Sequence, residues 1–470
     1  MSTVNGFCCF SSNISSLYWE RICSIMTECS AGRFEKHTLC SSENALMSVS
    51  EKGSIARLGE KVCIFEGDIT NFKTVREKLS DMGVQAEENF ASAFLNVYNT
   101  MGARGEAIVF GEFSAVIWDG ERKKLLLFRD KAGVHPLYYA FKNNRFAFSS
   151  SIKALLRFPG VYPVVNKAAL AELFGNCGMV NPCSTPFEDI KRVPPGCVVE
   201  FSRDGVRVKS YYSINPSDKF NSEFIAKDAI RIRGGERICC KKEPDPLQLV
   251  FSALDMVDYV GFPVYMPVYF VTELLKEQKA EEIYIPFLPP EINAPDLRTL
   301  LNEKNISGID TKLGDKNSMA EYETKTNVYF DDEMKVRAAG KIKLKINTLY
   351  ALWGEVLARF GQYTGKKAVL PLADARFLEC VTDGGGNEYI YKGRIFLPDC
   401  DFVRNILVNE LGKGERPLYK FLDKKKLWEF INNTEDVLSL LYILQTDYWC
   451  LKYRLELNMQ DGIIAKGLYL

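Results

Sequence analysis

Over the first 213 residues the apolar positions come in short runs broken by turn residues. KVCIF (61–65), AIVFGEFSAVIWD (107–119), KKLLLFRD (123–130), LYYAF (137–141) and RFAFSS (145–150) each have a strand's length and its β-branched and aromatic content. Asp119-Gly120 between the second and third runs, and Lys142-Asn143-Asn144 between the fourth and fifth, are hairpin signals, so these strands are expected to pair antiparallel. NKAALAELFGN (166–176) has helical apolar spacing and a Gly-Asn stop, while VPPGCVVEFSRDGVRVKSYYS (193–213) reads as strand, Asp-Gly turn, strand. After a polar, charged, proline-flanked stretch at 213–245 the period changes to three and four. DPLQLVFSALDMVDYV (245–260), PVYFVTELLKEQ (267–278), INTLYALWGEVLARFGQY (346–363) and EDVLSLLYILQTDYWCLKYRLEL (435–457) all predict helices. Residues 300–345 are charged and irregular, as an exposed insertion would be. The expected organisation is α+β: a first domain over 1–213, a linker over 214–245 and a helix-rich domain over 246–470.

Composition narrows the function classes. At 470 residues with 47% hydrophobic and 26% charged positions, the chain can bury sizeable cores. Sixty basic and sixty acidic side chains cancel, which argues against nucleic acid or an anionic membrane as partner. No apolar run has the length of a membrane span and the start, MSTVNGFCCFSSN, lacks the features of an export signal, so a cytoplasmic protein is expected. Fourteen scattered cysteines then belong to a reducing compartment. The Cys8-Cys9 and Cys239-Cys240 pairs contain no CxxC spacing, and neighbouring thiols on a strand point to opposite faces, so they read as buried packing. With only His37 and His135 available, no metal site and no Ser-His-Asp triad is expected.

Residues 111–156, GEFSAVIWDGERKKLLLFRDKAGVHPLYYAFKNNRFAFSSSIKALL, closely resemble a block of the glutamine-dependent asparagine synthetase family. RDKAGVHPLYY matches that family's RDxxGxxPLYY, and FSSSIKALL its FASEIKALL, with Ser151 where the family has glutamate. STPFEDIKRVPPGCVVEFSRDGVRVKSYYS resembles a second family passage, TPFxxIxxLPPG followed by an apolar strand. The resemblance implies a four-layer α/β/β/α sandwich of the Ntn-hydrolase, class II glutaminase type. It also implies a following asparagine-synthase domain of the PP-loop type, here helix-rich and reduced.

The same resemblance points to the departures. EGDITN stands where the family carries NGEIYN, so the glutamine-site equivalents are Glu66, Gly67, Asp68 and Asn71. Gly67 is kept, as close backbone approach or a sharp turn requires, but Glu66 puts a carboxylate where an amide would face a tetrahedral oxyanion. Arg57 lies too near the strand to stand for the arginine that clamps the substrate carboxylate. Family glutaminases begin, after Met removal, with CGIxG, whereas this chain reads Ser2-Thr3-Val4-Asn5-Gly6, leaving Ser2 as the candidate nucleophile. Cys8 and Cys9 lie inside the presumed first strand and have no free amine to act as base. The pyrophosphate loop SGGxDSS is missing, Arg233-Gly234-Gly235-Glu236-Arg237 lacks its serines and aspartate, and YIPFLPPE (284–291) replaces the family's SGxGxDE. VLPLADARFLECV (369–381) keeps Asp374 of a family motif, although an aspartate there also suits a helix N-terminus.

Three readings follow. The first is a family member with both sites lost, kept as a binding or assembly partner of itself or of an intact relative, with a small amide or amino acid as candidate ligand. The second is a working amide ligase, which requires ATP and Mg2+. The third is a Ser2-dependent amidohydrolase, which requires removal of Met1.

Overall fold

The computed structural model describes residues 3–10, 17–31, 37–176, 181–212, 282–284, 297–302, 354–356, 367–370, 373–380 and 398–455. In the first 212 residues the alternation of apolar and polar positions resolves into two six-stranded sheets. One has the order β10-β8-β9-β1-β3-β2 and is built from β1 (Val4–Cys9), β2 (His37–Ser41), β3 (Ala45–Ser50), β8 (Tyr138–Lys142), β9 (Arg145–Ser149) and β10 (Ile190–Arg192). The other has the order β12-β11-β7-β6-β5-β4, from β4 (Ser54–Leu58), β5 (Lys61–Ile69), β6 (Gly111–Asp119), β7 (Lys124–Arg129), β11 (Cys197–Ser202) and β12 (Gly205–Ser210). All pairings within the two sheets are antiparallel, including the two hairpins expected from Asp119-Gly120 and Asn143-Asn144.

Three sets of buried side chains define four layers. Val4, Cys8, Met47 and Phe146 of one sheet meet Ile64, Val116, Leu127 and Val199 of the other, so the sheets pack face to face. Outside the second sheet, α2 (Phe72–Asp81) and α3 (Phe90–Met101) place Val75, Leu79, Phe94 and Val97 over Phe65, Ile117 and Phe128. Outside the first, α1 (Leu17–Ala31) packs Trp19, Cys23 and Met26 over Phe7, Cys9 and Leu46. Cys8 and Cys9 therefore do face opposite ways, one between the sheets and one under α1, and neither is in a disulfide. This is the α/β/β/α order implied by the resemblance.

Several segments differ from their sequence reading. KVCIF does not end at Phe65: β5 runs on to Ile69, because Glu66, Gly67 and Asp68 continue the ladder opposite Ser114, Phe113 and Glu112. AIVFGEFSAVIWD starts its strand only at Gly111, since Ala107 and Ile108 close a 3-10 turn at Gly102–Ile108. Strands β2 and β3 and helix α1 carry no strong sequence signal: β3 pairs with β1, β2 pairs with β3, and α1 packs over β1 and β3. Helices α4 (Ile152–Leu155) and α5 (Lys167–Asn176) complete the outer layer on the first sheet.

Beyond residue 212 the described residues include a two-stranded parallel pair, β13 (Glu282–Tyr284) with β14 (Lys367–Val369). Helices α6 (Ala375–Cys380), α7 (Cys400–Leu411), α8 (Lys424–Asn433) and α9 (Val437–Tyr453) follow. The helical readings at 245–260 and 267–278, the linker, Cys239-Cys240, the 233–237 glycine pair and most of 284–291 and 346–363 lie outside the described residues. The last of the expected helices is α9, whose residues from Ser439 to Cys450 are buried nearly all round. Phe187 sits edge-on to both Trp449 and Tyr453 at 5.8 and 5.6 Å, and Phe174 edge-on to Tyr442 at 5.2 Å. One apolar cluster thus joins α1, α4 and α5 to α7, α8 and α9. Among the described residues no helix is long and apolar enough to cross a membrane.

Candidate functional site

Strand β1 runs between β9 and β3 of the first sheet. Ser50 and Ser150 hold it from either side: Thr3 N donates to Ser50 Oγ at 2.8 Å and Val4 N to Ser150 Oγ at 3.2 Å. Farther along, the Asn5 amide donates to Ser30 Oγ and accepts from Ser149 Oγ, at 2.9 and 2.6 Å. Ser2 itself lies outside the described residues.

The expected glutamine-site equivalents fall on the end of β5. Alternation along β5 puts Val62 and Ile64 on the face between the sheets, and Glu66 continues that face. Gly67 has φ +101°, and a Cβ there would sit 2.1 Å from Glu112 O, so only glycine lets the two strands approach. Glu66 is buried, with Oε1 3.7 Å from His135 Nδ1, an ion-pair separation too long for a hydrogen bond; Oε2 has no hydrogen-bond partner. Asn71 serves the backbone instead: its amide donates to Ile108 O at 2.8 Å and accepts from Phe110 N at 2.9 Å. It holds the exit of β5 against the entry of β6.

His135 was counted in the sequence only as one of two histidines, yet the structure brings it to the centre. Burial pulls its imidazole down, but Glu66 beside it, with Asp130 and Glu112, outweighs that and raises it above its usual value. Burial likewise pushes the Glu112 carboxyl up to about 7, against the opposing pull of His135. The acidic groups around His135 thus favour the protonated form of its imidazole.

The loop after β7 carries His135 and is held on both sides. Asp130 accepts from Ala132 N and Val134 N through Oδ1 at 3.1 and 3.0 Å, and from His135 N through Oδ2 at 2.9 Å. Buried Arg129 donates to His135 O at 2.7 Å, Gly133 O at 2.6 Å and Val193 O at 3.0 Å. Its guanidinium also reaches Glu355 Oε1 at 3.2 Å, and Arg192 Nε lies 3.3 Å from the same oxygen. Leu370 N donates to Glu112 Oε1 at 3.0 Å, a second link from the later part of the chain. The sequence carried Arg129, Asp130 and His135 inside RDKAGVHPLYY, but nothing local pointed to Glu355.

Three further positions singled out in the sequence make other contacts. Asp374 caps α6, its Oδ1 accepting from Arg376 N at 2.9 Å, and it also pairs with the Arg376 guanidinium at 2.5 Å. Arg57 is exposed on edge strand β4, beside Cys40. Ser151 is buried, its N donating to Ser149 Oγ at 2.8 Å. Among the described residues no three His, Cys, Asp or Glu side chains are grouped to hold a metal ion.

Residues 43–212 match the glutamine amidotransferase domain family. Asparagine synthetase [glutamine-hydrolyzing] 3 of Bacillus subtilis is 29% identical over 167 residues, 34% of this chain and 26% of that protein. Asparagine synthetase [glutamine-hydrolyzing] 2 of the same organism is 28% identical over 127 residues, 27% of this chain and 16% of that protein. Amidase chry2 of Gibberella zeae is 25% identical over 177 residues, 37% and 26% of the two chains. The chain thus spans about a quarter or less of the length of these relatives. Among solved structures, the glutamine phosphoribosylpyrophosphate amidotransferase of B. subtilis overlaps at a TM-score of 0.33 and 10% identity, over 50% of this chain and 59% of that one.

Proposed function

We propose that the chain, as a divergent member of the glutamine-hydrolysing asparagine synthetase family, keeps the amidotransferase scaffold for binding or assembly while catalysing neither half-reaction. One observation carries the reading: buried Glu66 stands where the family places the oxyanion-facing amide, with one carboxylate oxygen unpartnered. Stabilising a tetrahedral oxyanion needs donors aimed at developing negative charge, and a carboxylate does the reverse. The absence of SGGxDSS and SGxGxDE from the sequence supports loss of the ATP site in the proposed domain over 246–470.

Incubating the purified chain with glutamine, and separately with ammonia, aspartate and Mg-ATP, tests this. The expected outcome is no glutamate, AMP or pyrophosphate above the uncatalysed rate. Release of AMP and pyrophosphate revives the ligase, with ATP and Mg2+ as its cofactors. The likeness to an amidase favours one second reading, an amidohydrolase with Ser2 as nucleophile and its own amine as base. Intact-mass measurement decides its precondition, because retained Met1 removes the free amine.

A further inference from the structure

We propose that Glu355 is a positioning residue, which from outside the amidotransferase domain fixes, through Arg129, the loop that carries His135 to Glu66. The inference stands whether or not the site turns over. Arg129 is fully buried on β7 and spends three donors on carbonyls of its own domain, those of Gly133, His135 and Val193. Neutral carbonyls orient a guanidinium without compensating its charge. Asp130 acts on that charge from beside it, while its oxygens are hydrogen-bonded to the N–H groups of Ala132, Val134 and His135 rather than to the guanidinium. Glu355, also buried, supplies a carboxylate directly to the guanidinium, and shares the same oxygen with Arg192.

The contact is steric as well as ionic. The helical turn at 354–356 lies flat on the loop: a Cβ on Gly354 would come 2.4 Å from both Val134 Cα and Val134 O. Arg129 and Gly354 thus hold the two sides of one residue run, Gly133 to His135, and the imidazole at its end faces Glu66 at 3.7 Å. The groups acting on that imidazole are Glu66 from β5, Glu112 from β6 and Asp130 from the loop base. Loosening the loop separates His135 from Glu66, and removing the Glu355 charge leaves Arg129 less compensated nearby. Both effects lower the proton affinity of His135.

With only two histidines in the chain, imidazole proton resonances give a direct readout, and His37, exposed on edge strand β2, serves as internal control. In Glu355→Gln, which keeps shape and removes charge, the His135 midpoint is expected to fall by about threefold in proton affinity or more, one pKa unit being tenfold. Gly354→Ala, which leaves every charge in place and lifts the turn from the loop, is expected to move it in the same direction. His37 stays unmoved in both. An unchanged His135 midpoint in Glu355→Gln with native near-ultraviolet circular dichroism overturns the proposal, as does an equal shift of both histidines. So does a Glu66→Gln variant that leaves His135 unmoved, because the loop then does not report on Glu66. Should neither the Glu355 nor the Gly354 variant fold, the unaltered chain still decides: the Arg129 Nε–H resonance must titrate with the His135 midpoint, and independence of the two sinks the idea.

Discussion

Glu106, on the 3-10 turn before β6, is buried with neither carboxyl oxygen hydrogen-bonded, and burial pushes its carboxyl up to about 7. A carboxyl raised from 4.5 binds its proton more tightly folded than unfolded. The folded state therefore loses stability as pH rises from about 4.5 to about 7, and the loss is complete above that window. Glu106→Gln removes the ionisation. It is expected to stabilise the protein at pH 8 by on the order of 1–2 kcal/mol, the amide's own desolvation reducing the gain, and to do nothing at pH 4.5. Urea unfolding at the two pH values checks both parts. Glu112, also raised to about 7, adds to the same downward slope with pH. The residues around Glu106, MGARGEA, carry no local signal of burial, and only the packing of the turn removes its water.

The hairpin joining β8 and β9 shows an element that local sequence does determine. Asn143 and Asn144 have φ of +51° and +57°, the left-handed pair that a two-residue turn between right-twisted strands demands, and Lys142 and Arg145 flank it in register. Asn144→Gly is expected to be neutral or slightly stabilising. Asn144→Val forces a β-branched residue into that region and is expected to cost about 1–2 kcal/mol, read from the denaturant midpoint. At β5 the local signal misleads, because Glu66-Gly67-Asp68 reads as a turn. The nine-residue register with β6 makes these residues strand, with Gly67 tolerating the positive φ and Glu66 finding His135 from another segment. Helix α1 is rich in Ser, Thr and Cys, so its existence rests on Trp19, Cys23 and Met26 meeting β1 and β3.

At the scale of the whole molecule, the continuous apolar cluster ties the amidotransferase fold to the C-terminal helices. Trp449 is fully buried on α9, yet its aromatic neighbour Phe187 belongs to the first 212 residues. Trp449→Ala is expected to cost about 3–5 kcal/mol. The loss should appear equally in amide exchange of β1 and β9 and of α9, since one cluster opens as one unit. Loss of protection confined to α9 would show that the two parts unfold separately.

The amino-acid sequence by itself determined what depends on near neighbours: the antiparallel hairpins, the opposed Cys8 and Cys9, the long apolar helix at 437–453, and the short motifs that place residues 43–212 in a known domain family. These follow from side-chain period and turn chemistry, which act over a few residues. Tertiary structure alone decided the pairing of Glu66 with His135, the burial of Glu106, and the reach of Glu355 to Arg129 across 226 positions of chain. Those are matters of charge and solvent access, and a charge takes its energy from what surrounds it in space rather than from what precedes it in order.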